Sequence, residues 1–267
     1  MGLGQRRPEA AMMRRNKGGF MRRIALALAL GLAGAAAAEP ARAQQVDLLL
    51  ALCVDASGSI DPEEFRLQRE GYARALADPR VLGAIRSGQA GAIAVAFIEW
   101  GTPGAPVTVL NWTVIKDKPT ADAFAERLLA EPRRPQSYNA IGDAIVHATT
   151  MIHAAPMKAQ RAVIDVSGDG PDLRSLIPAP AARDKAVKDG ITINALAIYN
   201  PGSSTAMGRE PLDLYYERAV IGGPGAFVIA AEDYKHFAEA ILTKLVREIA
   251  RAPAPAETRT AATQGPR

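Results

Sequence analysis

The stretch Val46–Ile60, VDLLLALCVDASGSI, decides the fold. It begins as an apolar run and turns polar at Asp55, Ser57 and Ser59, three oxygen-bearing residues at alternate positions. Near-continuous apolar runs of this kind belong to strands buried on both faces of a parallel sheet. Such sheets bind ligands just beyond the carboxyl ends of their strands. The run therefore predicts a central strand that delivers an Asp-x-Ser-x-Ser loop to the functional edge of an α/β fold.

Working outward, Asp61-Pro62-Glu63-Glu64 carries the signature of a helix start. Asp61 can cap, Pro62 suits the first turn, and Glu64 completes a capping box. Phe65, Leu67, Tyr72, Ala75 and Leu76 continue that helix to a stop near Asp78-Pro79. Gly91–Trp100 reads as a second buried strand and Val107–Thr113 as a third. The loop 101–106 between them is short enough for a hairpin, so the third strand is expected to run antiparallel. Thr120–Ala130 reads as an amphipathic helix with Phe124, Leu128 and Leu129 on one face. A Pro-broken loop from Glu131 to Asn139 precedes a helix over Ala140–Ala154. Arg161–Val166 is a fourth strand and runs into Ser167-Gly168-Asp169-Gly170. A helix over Ala181–Asp189, a strand over Ile191–Ile198, a helix over Leu212–Ala219, a strand over Ala226–Ala230 and a helix over Tyr234–Ile249 complete the pattern. Strands alternating with helices predict a doubly wound, mostly parallel six-stranded sheet. Helices are expected on both of its faces, and one edge strand antiparallel.

The ends have a different composition. Residues 1–23 are Arg-rich, Ile24–Ala38 is an unbroken Ala/Leu/Gly run, and Ala41-Arg42-Ala43 fits the small-x-small rule of a signal peptidase. The apolar run is shorter than the roughly 20 residues that a membrane span requires. Residues 1–43 are accordingly expected to be a signal peptide, cleaved after Ala43, with a retained anchor as the alternative. The mature domain would then cover 44–251, in the periplasm or secreted. The Pro/Ala/Thr-rich segment 252–267 is expected to be disordered. Residues 1–43 hold eight Lys/Arg and two Asp/Glu, whereas the whole chain is only +4, so the remainder is about −2. The basic character thus belongs to the leader, and no basic stripe with interleaved aromatics points to nucleic acid. A single cysteine, Cys53, lies within the apolar strand, which excludes an internal disulfide.

A hard divalent cation takes oxygen ligands, and Mg²⁺ takes about six of them. Asp55, Ser57 and Ser59 offer one charged and two neutral oxygens on one turn. Taken alone, the pentapeptide reads first as a turn whose side chains bond their own backbone. Two features add to it. The fourth strand also ends in an acid, Asp169, and a doubly wound sheet can place the first and fourth strands side by side at the switch point. Between them in sequence, the loop at Ser137 to Asn139 brings a hydroxyl and an amide to the start of a helix.

The strand with Asp-Ala-Ser-Gly-Ser, the loop leading into Ala140-Ile141-Gly142-Asp143-Ala144-Ile145, and the strand ending in Ser-Gly-Asp-Gly together resemble a von Willebrand factor type A domain. Val163–Gly170 (VIDVSGDG) and Phe97–Trp100 (FIEW) resemble, more narrowly, a bacterial exported branch of that superfamily labelled DUF1194. The resemblance covers about 46–250. It implies a metal-ion-dependent adhesion site (MIDAS) with Asp55, Ser57 and Ser59 as first-loop ligands and Asp169 as the acid of the last loop. The family's middle-loop ligand is a Thr. Here Asn139 stands at that position, with Ser137 as the substitute two residues earlier. The implied ion is Mg²⁺, or another divalent cation such as Mn²⁺ or Ca²⁺. The implied function is a binding module rather than an enzyme. Its partner would be a protein or peptide presenting a carboxylate, not a nucleic acid, and a membrane would be met only through an uncleaved leader.

Other residues are read as structural. Glu99 and Trp100 end a strand, Arg133 and Arg134 sit in a solvated loop, and His147, His153 and His236 lack metal-ligand spacing. Asp172 is placed to support the site from behind. Two alternatives remain. In a haloacid-dehalogenase-like phosphatase, Asp55 would be the nucleophile, but Ser57 stands where that chemistry places a second acid. In a structural domain with a vestigial site, Asn139 would mark the loss.

Overall fold

The computed structural model describes Met1 and residues 44–134, 136–199, 210–234 and 236–250. The expected leader, apart from Met1, and the expected tail lie outside them. Strand β1 (Gln45–Asp55) is central. Its neighbours are β2 (Ile93–Trp100) and β4 (Lys158–Gly168), both parallel to it. Beyond them lie antiparallel β3 (Val107–Ile115) on one side and parallel β5 (Thr192–Ile198) and β6 (Val228–Ala231) on the other. The order is β3-β2-β1-β4-β5-β6. The chain winds outward in one direction through β2 and β3, then returns to wind the other way through β4, β5 and β6. The reversal falls between β1 and β4, which is where such sheets open a crevice.

Side chains alternate across a strand, and β1 therefore feeds two cores. Leu48, Leu50, Leu52 and Val54 face one layer, built from α1 (Pro62–Leu76), α2 (Pro79–Arg86), α3 (Lys118–Ala130) and α7 (Phe237–Ile249). Leu49, Ala51 and Cys53 face the other, built from α4 (Ile141–His153), α5 (Ala179–Lys188) and α6 (Leu212–Ala219). Cys53 is buried, and its sulfur faces the carbonyl of Ala144 at 3.9 Å. Burial pushes its thiol far above the usual cysteine range, so it serves as a small hydrophobe.

Local chemistry explains the element starts. Asp61 accepts from the backbone N–H of Glu63 and Glu64, while Glu64 accepts from that of Asp61, forming the expected capping box. The same Asp-Pro device at Asp78-Pro79 starts α2, with Asp78 accepting from Arg80 N. From the sequence this pair reads only as a stop, so α2 is an addition. Strand β4 begins at Lys158 rather than Arg161, because its polar first residues pair with Gln45 and Val46 at the start of β1. Leu129 is a correction: Phe124 and Leu128 are buried, but Leu129 is exposed, off the narrow stripe that α3 turns inward.

Candidate metal centre

The parallel register pairs Val54 with Ser167. One step further, Asp55 closes β1 and Gly168 closes β4, and Asp169 follows. The two acids are thereby set side by side at the switch point. Both are buried. Asp55 Oδ1 accepts from Ser57 N at 2.8 Å, and Oδ2 accepts from Asp169 N at 3.4 Å. The hydroxyls of Ser57 and Ser59 lie 3.1 Å apart, and Ser59 donates to Asp169 Oδ1 at 3.1 Å. Asp55, Ser57, Ser59 and Asp169 thus form one continuous cluster of oxygens. Ser57 is buried and Ser59 exposed, so the cluster opens on one side.

The middle loop approaches from above α4. Ser137 accepts from Gly58 N through its carbonyl at 3.4 Å, while its hydroxyl pairs with Thr102 Oγ1 at 3.3 Å. Asn139 lies against the last loop: a Cβ on Gly170 would come within 2.2 Å of Asn139 Nδ2. A side chain at position 170 would have to push the Asn139 amide aside, so Gly170 leaves it room. Of the two middle-loop candidates, Asn139 is the one set against the residue that follows Asp169.

Electrostatics fit a cation. Burial, reinforced by the neighbouring Asp169 charge, pushes the Asp55 carboxyl up to about 8, against opposing hydrogen bonds from Ser57 and Asp169. Two carboxylates held together out of water repel each other, and a bound positive ion relieves that repulsion. The oxygens gathered here are carboxylate and hydroxyl oxygens, a kind that suits Mg²⁺. Among the described residues, no group of three or more His, Cys, Asp or Glu side chains comes together. Any ion held here must therefore lean on the serines.

Residues around the site do more than the sequence suggested. Arg133 is half-buried, not solvated, and donates to the carbonyls of Ile60 at 2.6 Å and Ser57 at 3.4 Å. It ties the middle loop to the first. Glu99 is buried in an ion pair with Arg69 at 2.7 Å. Arg69 also donates to the carbonyls of Leu128, Glu131 and Pro132, gripping the end of α3 where the middle loop departs. No apolar period marks an arginine as buried, so Arg69 was not legible. Asp172 accepts from the N–H of Gly142 and Ala179, which fixes the last loop to the starts of α4 and α5. Tyr216 donates to the carbonyl of Gly170 at 3.0 Å from α6. His147 and His153 are ordinary residues of α4, pairing with Thr108 and lying near Asp189, whereas His236 precedes α7 and meets Asp233.

A sequence-family profile described as Protein of unknown function (DUF1194) matches residues 45–253. The chain belongs to the DUF1194 family. No curated protein sequence matches it. Among solved structures, the DUF1194 chain is similar to proximal thread matrix protein 1 from the mussel byssus, solved with a zinc-occupied MIDAS motif. The TM-score is 0.57 at 16% identity, over 78% of this chain and 49% of that one. It is also similar to the pilus adhesin SpaC from Lactobacillus rhamnosus GG, with TM-score 0.56 and 15% identity over 78% of this chain and 31% of that one. The vWF domain of the pili tip protein Mfa5 from Porphyromonas gingivalis gives TM-score 0.51 at 10% identity, over 78% and 98% of the two chains. These likenesses show the von Willebrand factor type A fold. The DUF1194 chain spans about half the length of the mussel protein and about a third of SpaC.

Proposed function

We propose that this DUF1194 protein is an exported binding module that recognises a partner's carboxylate at a divalent cation held by Asp55, Ser57, Ser59, Asn139 and Asp169. The observation that carries this reading is the buried Asp55–Asp169 pair, closed by two serine hydroxyls at the switch point of the sheet. Asp55 and Asp169 supply the charge. Ser57, Ser59 and Asn139 supply neutral oxygens, so the site stays lightly charged. Bound there, Mg²⁺ would supply an electrophilic position for an outside carboxylate. The mussel protein's zinc-occupied MIDAS and the adhesin role named for SpaC support this reading. Ser57 stands where phosphatase chemistry would need an acid, which supports recognition rather than turnover.

Thermal unfolding tests the site. Mg²⁺ at a hundredfold excess over its dissociation constant is expected to stabilise by about 2.7 kcal/mol, which is roughly 5–11 °C in a domain of this size. EDTA should reverse the gain, and Asp55→Ala should abolish it. Parallel arms with Mn²⁺, Ca²⁺ and Zn²⁺ rank the ions. No shift with any of them would leave the chain as a structural domain with a vestigial site. Export is tested by the mass of the protein recovered from the producing cell, which should begin at Gln44.

A further inference from the structure

The loop that follows Asp169 displays apolar side chains instead of burying them. Seven large hydrophobic residues are exposed among the described residues, and four of them lie on two touching loops beside the metal centre. They are Tyr138 (48% exposed), Leu173 (45%), Leu176 (73%) and Ile177 (44%). The loops meet where Leu173 N donates to the carbonyl of Asn139 at 2.5 Å. Large apolar side chains gathered at the surface on touching loops mark an interaction site.

This display is held rigidly. Asp143, a nearly buried acid in the first turn of α4, accepts from the N–H of Leu176 at 3.0 Å and of Ile177 at 3.2 Å. It also accepts from Gly104 N at 2.8 Å. The loop passes so close over α4 that a Cβ on Gly142 would sit 1.9 Å from the carbonyl oxygen of Ile177. Arg174, between the displayed residues, adopts φ of 72°, an uncommon left-handed conformation for a residue with a side chain. Its guanidinium lies 5.1 Å over the Tyr138 ring. Backbone groups that water could have served are instead bound by a carboxylate, and the leucines face outward. A surface so pre-organised loses little on binding.

We infer that this patch is the specificity surface of the centre, and that it takes a segment of another protein in which an Asp or Glu is closely flanked by large apolar side chains. The acid would go to the cation, and the apolar side chains would pack on Leu173, Leu176 and Ile177, with Arg174 completing the positive rim. Charge selects the occupant: a cation site and an exposed arginine border the apolar residues, and both favour an acidic segment over a neutral one. The inference rests on the metal-dependent reading of the preceding section.

The test is selection of a random-peptide library displayed on phage, using the immobilised domain in Mg²⁺ and elution with EDTA. The expected result is enrichment of sequences that pair an acid with Leu, Ile, Phe or Trp. A synthetic peptide of the enriched sequence should then bind the double variant Leu173→Ser with Leu176→Ser at least roughly tenfold more weakly. The variant should keep the wild-type Mg²⁺ thermal shift, since both side chains are exposed. Acidic peptides without apolar neighbours, or unchanged binding by the variant, would overturn the inference while leaving the metal site standing. Loss of the Mg²⁺ shift in the wild type would instead sink the underlying reading. Binding to phosphatidylglycerol vesicles that survives EDTA would assign the patch to a membrane. A dimer dissociated by the leucine variant in sedimentation would assign it to a second copy of the chain. Either would overturn the inference as well.

Discussion

Asp55 is buried, adjoins a second buried acid and accepts two backbone N–H groups. Those two relations separate two substitutions that otherwise look alike. Asp55→Asn removes a charge from beside Asp169 and keeps one acceptor oxygen for Ser57 N, but it turns an NH2 toward Asp169 N. In EDTA it loses the longer of the two bonds together with the like-charge repulsion, so it is expected to unfold near the wild-type temperature, with no further rise in Mg²⁺. Asp55→Ala leaves the N–H groups of Ser57 and Asp169 without their acceptor. It should therefore be less stable than Asp55→Asn by about 1–3 kcal/mol in urea denaturation. Equal stability of the two variants would mean that the N–H groups find other partners. The serines and Asp169 were legible as oxygen donors from their spacing. The like-charge contact that raises Asp55 was not, because it depends on the pairing register of two strands more than a hundred residues apart.

Elements are joined at the rim by charges no pattern marks as buried. Arg69 on α1 meets Glu99 at the end of β2 and grips three carbonyls around the end of α3. Burial raises the Glu99 carboxyl, and Arg69 opposes that rise. Arg69→Ala would strand a buried carboxylate and free the carbonyls, costing about 3–5 kcal/mol. Replacing both partners, as Arg69→Met with Glu99→Leu, should cost less, since no lone charge remains. The urea midpoints decide the point, and a double variant as unstable as the single would refute it. Because the middle loop leaves from the gripped end of α3, Arg69→Ala is also expected to weaken Mg²⁺ binding. The Asp61-Pro62 start of α1 was readable from sequence, and the chemically identical Asp78-Pro79 start of α2 shows that one such signal can both follow one helix and begin the next.

Across the whole molecule, the last helix is fastened to the sheet by a buried ionic group. Lys244 Nζ lies 2.6 Å from Asp165 on β4 and 2.5 Å from Glu248, with Asn194 of β5 donating to Glu248 at 2.8 Å. Two carboxylates share one ammonium. Burial and the Glu248 charge push the Asp165 carboxyl up to about 7, against the pull of Lys244. The folded protein thus holds this proton more tightly than the unfolded chain. The contribution to stability is full below the ordinary value of 3.8 and is lost as pH rises through about 7. In urea denaturation from about pH 4 to about pH 8, wild type should lose stability relative to Asp165→Asn across that window. A constant difference between them would show that Asp165 does not titrate there.

The sequence by itself determined the fold class, the antiparallel edge at β3 and the sites of most elements, because apolar periodicity, caps and hairpin length are local properties. It also placed Asp55, Ser57, Ser59 and Asp169 at strand ends, which a parallel sheet collects on one rim. Tertiary structure alone decided which charges are buried, as Arg69, Lys244 and Asp165 show, since burial depends on what packs from distant parts of the chain. It decided that Arg133 ties two loops together. It also decided that Asn139 lies against the residue after Asp169, because the room there comes from Gly170 on another loop. The same holds for the leucines after Asp169. Their sequence does not set them apart from core residues, and the contacts that fix their backbone come from elsewhere in the chain: Asn139 for Leu173 and Asp143 for Leu176.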